Sequence, residues 1–345
     1  MIETAVIVAN WNGKKYLKDC FDSLAKQTYQ NFRIIFVDNG SKDDSVGFIE
    51  KNYPETEIIR LEENTGFCFG YNTGIKKALE DENIKYIVVL NNDTKLHEKF
   101  IEDMVDCSQR HPEAGSIQPK ILNFYEQNKI DCAGILLSVD GVVMNRGYGE
   151  ENHGQYEKEE ELFGANATAA LYSREALEKT QLRDGEYFDE SYFAYYEDAD
   201  LAWRMRLAGF KSYFCPSAKL FHIHSATAKK ISGLKAYYLN RNRFFTLIKN
   251  YPCCRLVLIL FILTPIRYLL LLIRVIMKRS RKGEELAGQN KFMVAKEIFR
   301  AWGSVITNIP NLMRKRRAIQ KNKKVKKSEI RRWFRDYGVK WLKTF

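Results

Sequence analysis

Short apolar runs alternate with helical spacing from the first residues of the chain. Thr4–Ala9 (TAVIVA) reads as a buried strand, and Gly13–Lys26 places Tyr16, Leu17, Cys20, Phe21 and Leu24 on one helix face. Phe32–Val37 is the next strand and stops at Asp38-Asn39-Gly40-Ser41, a turn and helix-cap signal. Asp43–Asn52 reads as helix, Glu57–Leu61 as strand and Gly66–Leu79 as helix. Lys85–Leu90 is again a strand, ending at Asn91-Asn92-Asp93. Four β-α repeats within the first 95 residues predict an α/β fold, a doubly wound sheet with helices on both faces. Ligands of such sheets bind beyond the carboxyl ends of the strands. Asn10, Asp38, Asn64 and Asp93 fall at those ends and are predicted to converge on one crevice.

After about residue 115 the pattern changes. Ile130–Leu137 and Val142–Tyr148 flank Asp140-Gly141 and read as a β-hairpin. Glu150–Glu161 is an acidic loop, Asn166–Tyr172 a strand and Glu197–Ala208 a helix. Lys211–Cys215 and Lys219–His224 are strands, and Ser232–Asn250 is helical. The sheet is therefore expected to be mixed. A catalytic domain is expected over 1–230, with one half over about 1–115 and the other over about 116–230. A helical extension follows over 231–345.

Composition alters this picture mainly at the C-terminus. The net charge of +12 divides unevenly: residues 274–345 carry +17 and residues 1–273 carry −5. An acidic body with a basic tail offers no groove-reading surface, so nucleic acid is not the expected partner. Seven scattered cysteines without a CxxC pair argue against a disulfide framework or a zinc site and for a reducing, cytoplasmic setting. MIETAVIVAN has no basic flank and reads as a first strand rather than a signal peptide. Of the eighteen residues 256–273, fourteen are Leu, Ile, Val or Phe, but Arg267 and Pro265 interrupt them. With tryptophans and basic residues downstream, the segment is expected to lie as a monotopic anchor on the cytoplasmic face of the membrane. A spanning helix or ordinary burial are the alternatives.

Several motifs carry candidate chemistry. Asp38 can accept the imide N–H of uracil or thymine, or it can cap the helix that follows. In Asn64–Gly74 the glycines at 66, 70 and 74 leave one helix face bare, open to a ligand or to another element, with Asn64 and Asn72 as polar groups at the same crevice. Asp93 stands where a divalent ion bridging two phosphates would be held, or it caps the next helix. Carboxylates at 189, 190, 197, 198 and 200, interleaved with Tyr192, Phe193, Tyr195 and Tyr196, exceed what a helix cap needs and point to a general base. His222 and His224 project to one side of a strand, where His222 can meet a metal or a phosphate.

Together, VANWNG, VDNGSKDDSV, ENTGFCFGYNTGI, LNNDT, FGANATAALYSREAL, FDESYFAYYEDADLAWRMRLAG and FHIHS resemble the family 2 glycosyltransferases of GT-A fold, in their rhamnosyltransferase-like branch, over about residues 3–250. The resemblance implies inverting transfer from a nucleotide-diphosphate sugar, with dTDP-L-rhamnose the first choice and UDP-sugars the alternative. The acceptor would be a polyprenyl-linked saccharide. It places Asn10, Asp38 and Asn72 at the base and ribose, with Asn64 and Gly66 in the same nucleotide site. Asn92 and Asp93 would occupy the DxD position, with Asp93 and His222 binding Mg²⁺ or Mn²⁺. Asp198 would be the base and Glu197 its neighbour. Asn91 replaces the first aspartate of a DxD pattern.

Overall fold

A computed structural model of the chain describes residues 2–183, 185–223, 232–277 and 291–341. By contacts the chain forms two units. One comprises Met1–Ile135 with Asn145–Ala226, the other Leu136–Met144 with Thr227–Phe345.

The first unit is built on strands β1 (Thr4–Asn10), β2 (Phe32–Asn39), β3 (Glu57–Leu61) and β4 (Tyr86–Asn91), separated by helices α1 (Lys14–Ala25), α2 (Ser45–Asn52) and α3 (Gly66–Leu79). β1 pairs in parallel with both β2 and β4, and β2 with β3, as the β-α alternation predicts. Later elements extend the sheet: β5 (Thr94–Leu96), α4 (Phe100–Arg110), β6 (Ala114–Asn123), β7 (Ile130–Cys132), β10 (Glu160–Leu162), β11 (Ala169–Ser173), α5 (Arg174–Thr180), α6 (Glu197–Leu207) and β12 (Lys211–His222). β11 runs antiparallel between β4 and β6, and β12 lies parallel to β6, so the sheet is mixed. The two strands expected at 211–215 and 219–224 are one strand whose register slips between Cys215 and Lys219.

Apolar residues alternate across the sheet. Val6, Val8, Phe36, Val88 and Leu90 pack on one face with Leu17, Phe21, Phe100 and Met104 of the helices. α3 covers the other face closely: a Cβ on Gly74 would lie 2.4 Å from Ile7 Cγ2 and 3.0 Å from Val37 Cγ2. The bare face of α3 thus serves packing at this position rather than ligand approach.

The expected hairpin is shorter than its sequence pattern, with β8 (Ile135–Leu137) pairing β9 (Val143–Asn145). Its tip belongs to the second unit, with α7 (Ser232–Asn250), α8 (Cys253–Leu258), α9 (Thr264–Met277), α10 (Lys291–Lys321) and α11 (Lys327–Asp336). A π-helical turn, Ile259–Leu263, joins α8 to α9, so Pro265 sits in the first turn of α9 and does not break the helix. Asp140, expected only to turn the hairpin, is fully buried and ion-pairs with Arg267 at 2.8 Å. Arg243 Nε donates to the Asp140 carbonyl at 2.9 Å. Burial alone would raise the Asp140 carboxyl, but the two guanidiniums outweigh it and hold it below the usual aspartate value. Among the described residues, no helix is long and apolar enough to cross a membrane.

Candidate active site

The carboxyl ends of β1, β2 and β4 meet in a linked set of polar side chains. Asn10 Nδ2 donates to Ser41 Oγ at 3.1 Å and to Asp38 Oδ1 at 3.4 Å. Asn92 Nδ2 donates to Asn10 Oδ1 at 2.6 Å. Asp38 Oδ2 accepts the Ser41 N–H at 3.1 Å, closing the turn after β2. Gly13 makes room for the pair, since a Cβ there would lie 2.2 Å from Asn92 Nδ2. Of the four residues expected to converge from their strand ends, Asn10 and Asp38 are joined directly, and Asn92 is linked to them through Asn10.

The α3 entrance is organised differently from expectation. Asn64 Oδ1 accepts the Gly66 N–H at 2.9 Å and the Asn39 amide at 3.3 Å, so Asn64 frames the turn into the helix. Gly66 has φ +86, and a Cβ on it would lie 2.5 Å from the Phe193 ring. The Phe193 carbonyl in turn accepts the Phe67 N–H at 2.7 Å. The space beside Gly66 is filled by protein, which corrects its expected place against a nucleotide. Asn72 is likewise reassigned. Its Nδ2 donates to the Phe188 carbonyl at 2.8 Å and its Oδ1 accepts the Phe188 N–H at 2.8 Å. Asn72 therefore clamps the segment leading to α6 instead of lining the Asn10–Asp38 cluster.

Asp93 follows β4 and faces His222 at the end of β12, with Oδ1 and Nε2 3.4 Å apart. On the other side of the ring, Nδ1 lies 2.7 Å from Asp131 Oδ2. All three side chains are buried. Burial disfavours the imidazolium, yet the bonds to Asp131 and Asp93 raise His222 to about 9. Asp131 escaped the sequence reading; the available signal was a lone carboxylate between Ile130 and Cys132 in an apolar strand. His224 lies outside the described residues.

The acidic segment splits by role. Asp189 caps a short 3₁₀ turn, and Asp200 pairs with Arg204 in the core at 2.9 Å. Glu197 and Asp198 open α6. Asp198 Oδ2 accepts from Asn166 Nδ2 at 3.1 Å and from the Ala167 N–H at 3.4 Å, and its Oδ1 accepts the Ala199 N–H at 2.7 Å. Burial raises the Asp198 carboxyl, the backbone donors pull it back, and it rests at about 6. Glu197 is pushed well above the carboxylate range, by burial first and by the Asp198 charge second. Its Oε2 is buried with no hydrogen-bond partner. One negative charge therefore resides on the pair, on Asp198, because the backbone donors face it.

The chain entering α6 is strained. Phe193, Tyr195 and Tyr196 have φ of 66°, 69° and 73°. The Ala194 N–H reaches back to the Tyr192 carbonyl at 2.8 Å, a γ-turn about Phe193. Side chains that favour negative φ hold such conformations only where surrounding contacts fix them, and here the Phe193–Phe67 bond does so.

The end of β4 and the α6 acids share the 166–168 segment: the Asn91 N–H donates to the Thr168 carbonyl at 2.8 Å, and Asn166 and Ala167 hold Asp198. Burial pushes the Tyr71 phenol up, and the Asp93 charge adds to it. The Cys132 thiol is raised by burial and by both Asp131 and Asp198.

The mixed sheet carries linked polar side chains at its strand ends and two carboxylate clusters, and comparison with known proteins gives it a family. The chain matches the model of glycosyl transferase family 2 over residues 5–181 and belongs to that family. An N-acetylglucosaminyl-diphospho-decaprenol L-rhamnosyltransferase of Mycobacterium tuberculosis is 23% identical over 252 residues, 68% of this chain and 80% of the relative. The crystal structure of GalNAc-T7 with UDP, GalNAc and Mn²⁺ superposes with a TM-score of 0.58 at 13% identity, over 72% of this chain and 48% of that one. S. aureus TarS superposes with a TM-score of 0.55 at 16% identity, over 93% of this chain and 54% of that one. The chain spans about half the length of these two structures, which establish the GT-A fold.

Proposed function

We propose that the protein is an inverting glycosyltransferase. It moves L-rhamnose from dTDP-L-rhamnose to a hydroxyl of a polyprenyl-linked saccharide at the cytoplasmic membrane surface, in cell-surface polysaccharide assembly. The observation that supports the reading is a pair of acid clusters on adjoining segments: the Asn91 N–H, two residues before Asp93, donates to the Thr168 carbonyl at 2.8 Å, and Asn166 and Ala167 just ahead of it hold Asp198. The M. tuberculosis relative, named for rhamnosyl transfer to a decaprenol-linked acceptor, supports the donor and acceptor classes.

Asn10 and Asp38 hold the base, with Asp38 accepting its imide N–H; Asn92 orders Asn10 beside it. Asn64 frames the turn into α3 beside Asn39 at the end of β2, while Gly66 and Asn72 hold the segment that leads to α6.

Asp93 and His222 fit a divalent ion, Mg²⁺ or Mn²⁺: a carboxylate oxygen and an imidazole nitrogen stand close together, and Asp131 orients the ring from its far side. When bound, the ion stabilises the negative charge that grows on the departing diphosphate. Asn91 is an amide and supplies no carboxylate, its Oδ1 accepting the Tyr71 hydroxyl at 3.3 Å; the second acid of this site is Asp131, from another strand.

Asp198 takes the proton of the acceptor hydroxyl. Asn166 and the N–H of Ala167 fix its Oδ2, which leaves the carboxylate one orientation. A base with a pKa slightly below neutrality is ionised at pH 7 and still basic enough to assist attack. Protonated Glu197 offers a buried hydrogen-bonding group beside it. The displacement occurs in one step without an enzyme nucleophile, so the configuration at the anomeric carbon inverts.

A UDP-sugar donor is the second reading, favoured by the GalNAc-T7 complex with UDP. Asp38 does not separate the two, because uracil and thymine present the same imide donor. Thermal shift with dTDP-rhamnose, UDP-glucose, UDP-galactose and UDP-N-acetylhexosamines, with and without Mn²⁺, tests the choice. Stabilisation by dTDP-rhamnose alone supports the first reading, and stabilisation by none of them removes both.

A further inference from the structure

The helical stretch α8–α9 is inverted relative to a helix that faces water. Its polar side chains point inward. Arg267 is bound to Asp140, Thr264 accepts from Arg243 at 3.0 Å, and the Tyr268 hydroxyl donates to Asn240 at 2.9 Å. Outward, every exposed side chain described between 256 and 273 is apolar. Phe261 is 76% exposed, Val257 59% and Leu269 56%. These positions recur at helical spacing and form one continuous stripe. α10 of the same unit exposes both kinds of side chain, with Phe299 77% and Ile306 62% exposed and Arg300 and Arg314 also exposed.

A stripe of this kind marks an interaction surface. Charge selects the partner. No Asp or Glu occurs between 252 and 277, and residues 274–345 carry +17. A second copy of the chain would bring like charges together, whereas an anionic surface neutralises them. With no described helix able to cross a bilayer, the geometry fits a helix lying in the interface, apolar side down, with basic residues at the headgroups.

We propose that the Val257–Phe261–Leu269 stripe docks the C-terminal unit on an anionic lipid bilayer. The inference extends the lipid-linked acceptor reading, and the two are tested apart.

The full chain is floated with vesicles of phosphatidylcholine, with and without phosphatidylglycerol. Binding is expected only with the anionic lipid and weakens with salt. The F261E/L269E variant, and the milder F261S/L269S, lose binding roughly tenfold or more while unfolding like wild type. Failure of wild type to float, or unchanged flotation of both variants, overturns the proposal. A dimer in solution that F261E/L269E dissociates, without vesicle binding by wild type, assigns the stripe to a second copy instead. Vesicle binding together with no transfer from any nucleotide sugar keeps the docking surface and removes the functional reading.

Discussion

Asp131 and His222, 91 residues apart in sequence, are joined by a 2.7 Å contact to the imidazole Nδ1, and this turns Nε2 toward Asp93. An orienting carboxylate behind a ligating histidine typically accounts for about 10–100-fold in metal affinity. Asp131→Asn keeps the size of the side chain and removes the charge. Mn²⁺ titration followed by electron paramagnetic resonance, at a temperature where both proteins are folded, is expected to show affinity weakened within that range, and the variant also unfolds more easily because Asp131 is buried against His222. Equal affinity in variant and wild type would take Asp131 out of the site.

As the proposed base, the buried Asp198 would set an acid limit on turnover. Its folded value is raised, to about 6, so the base is lost to protonation as pH falls through that value. The profile of kcat/KM against pH is expected to bend near 6 and to drop about tenfold per pH unit below it, with affinity for the nucleotide unchanged. A flat profile down to pH 5 contradicts the assignment.

Asp140 fixes the C-terminal unit by neutralising Arg267 and Arg243. Removing one member of a buried ion pair costs about 3–5 kcal/mol because the remaining charge is stranded. Asp140→Asn is expected to lower the urea midpoint accordingly. Since the folded carboxyl lies below the ordinary 3.8, its contribution is complete above that value and lost as pH falls through the folded one. The difference between variant and wild type should therefore vanish in acid. A stability loss independent of pH would point to packing alone.

The residues that were legible in the sequence are those whose role is local. β1, β2 and β4 announce themselves as apolar runs, and Asn10 and Asp38 follow from lying at the ends of two of them. β6 does not, because Ser116, Gln118 and Lys120 interrupt its apolar pattern although each is buried. Their partners are distant: Ser212, the N–H of Asn166, and Glu157. The same holds for Arg267. In an apolar run it reads as an obstacle to membrane insertion, and only the fold reveals the Asp140 that takes it out of contact with solvent. The sequence singles out Gly66 and Asn72 through their motif, but their partners are Phe193 and Phe188, which no local pattern supplies.

Asp198→Asn tests the account most directly, because it removes the proposed base and keeps an amide of nearly the same shape. Calorimetric titration with the nucleotide sugar that stabilises wild type should give unchanged binding in the presence of Mn²⁺. Transfer to a saccharide acceptor should fall by about 10²–10⁴-fold, the range expected for a lost general base. Donor binding retained with transfer lost is the predicted result. Transfer within about twofold of wild type, a change too small for a lost general base, would contradict it.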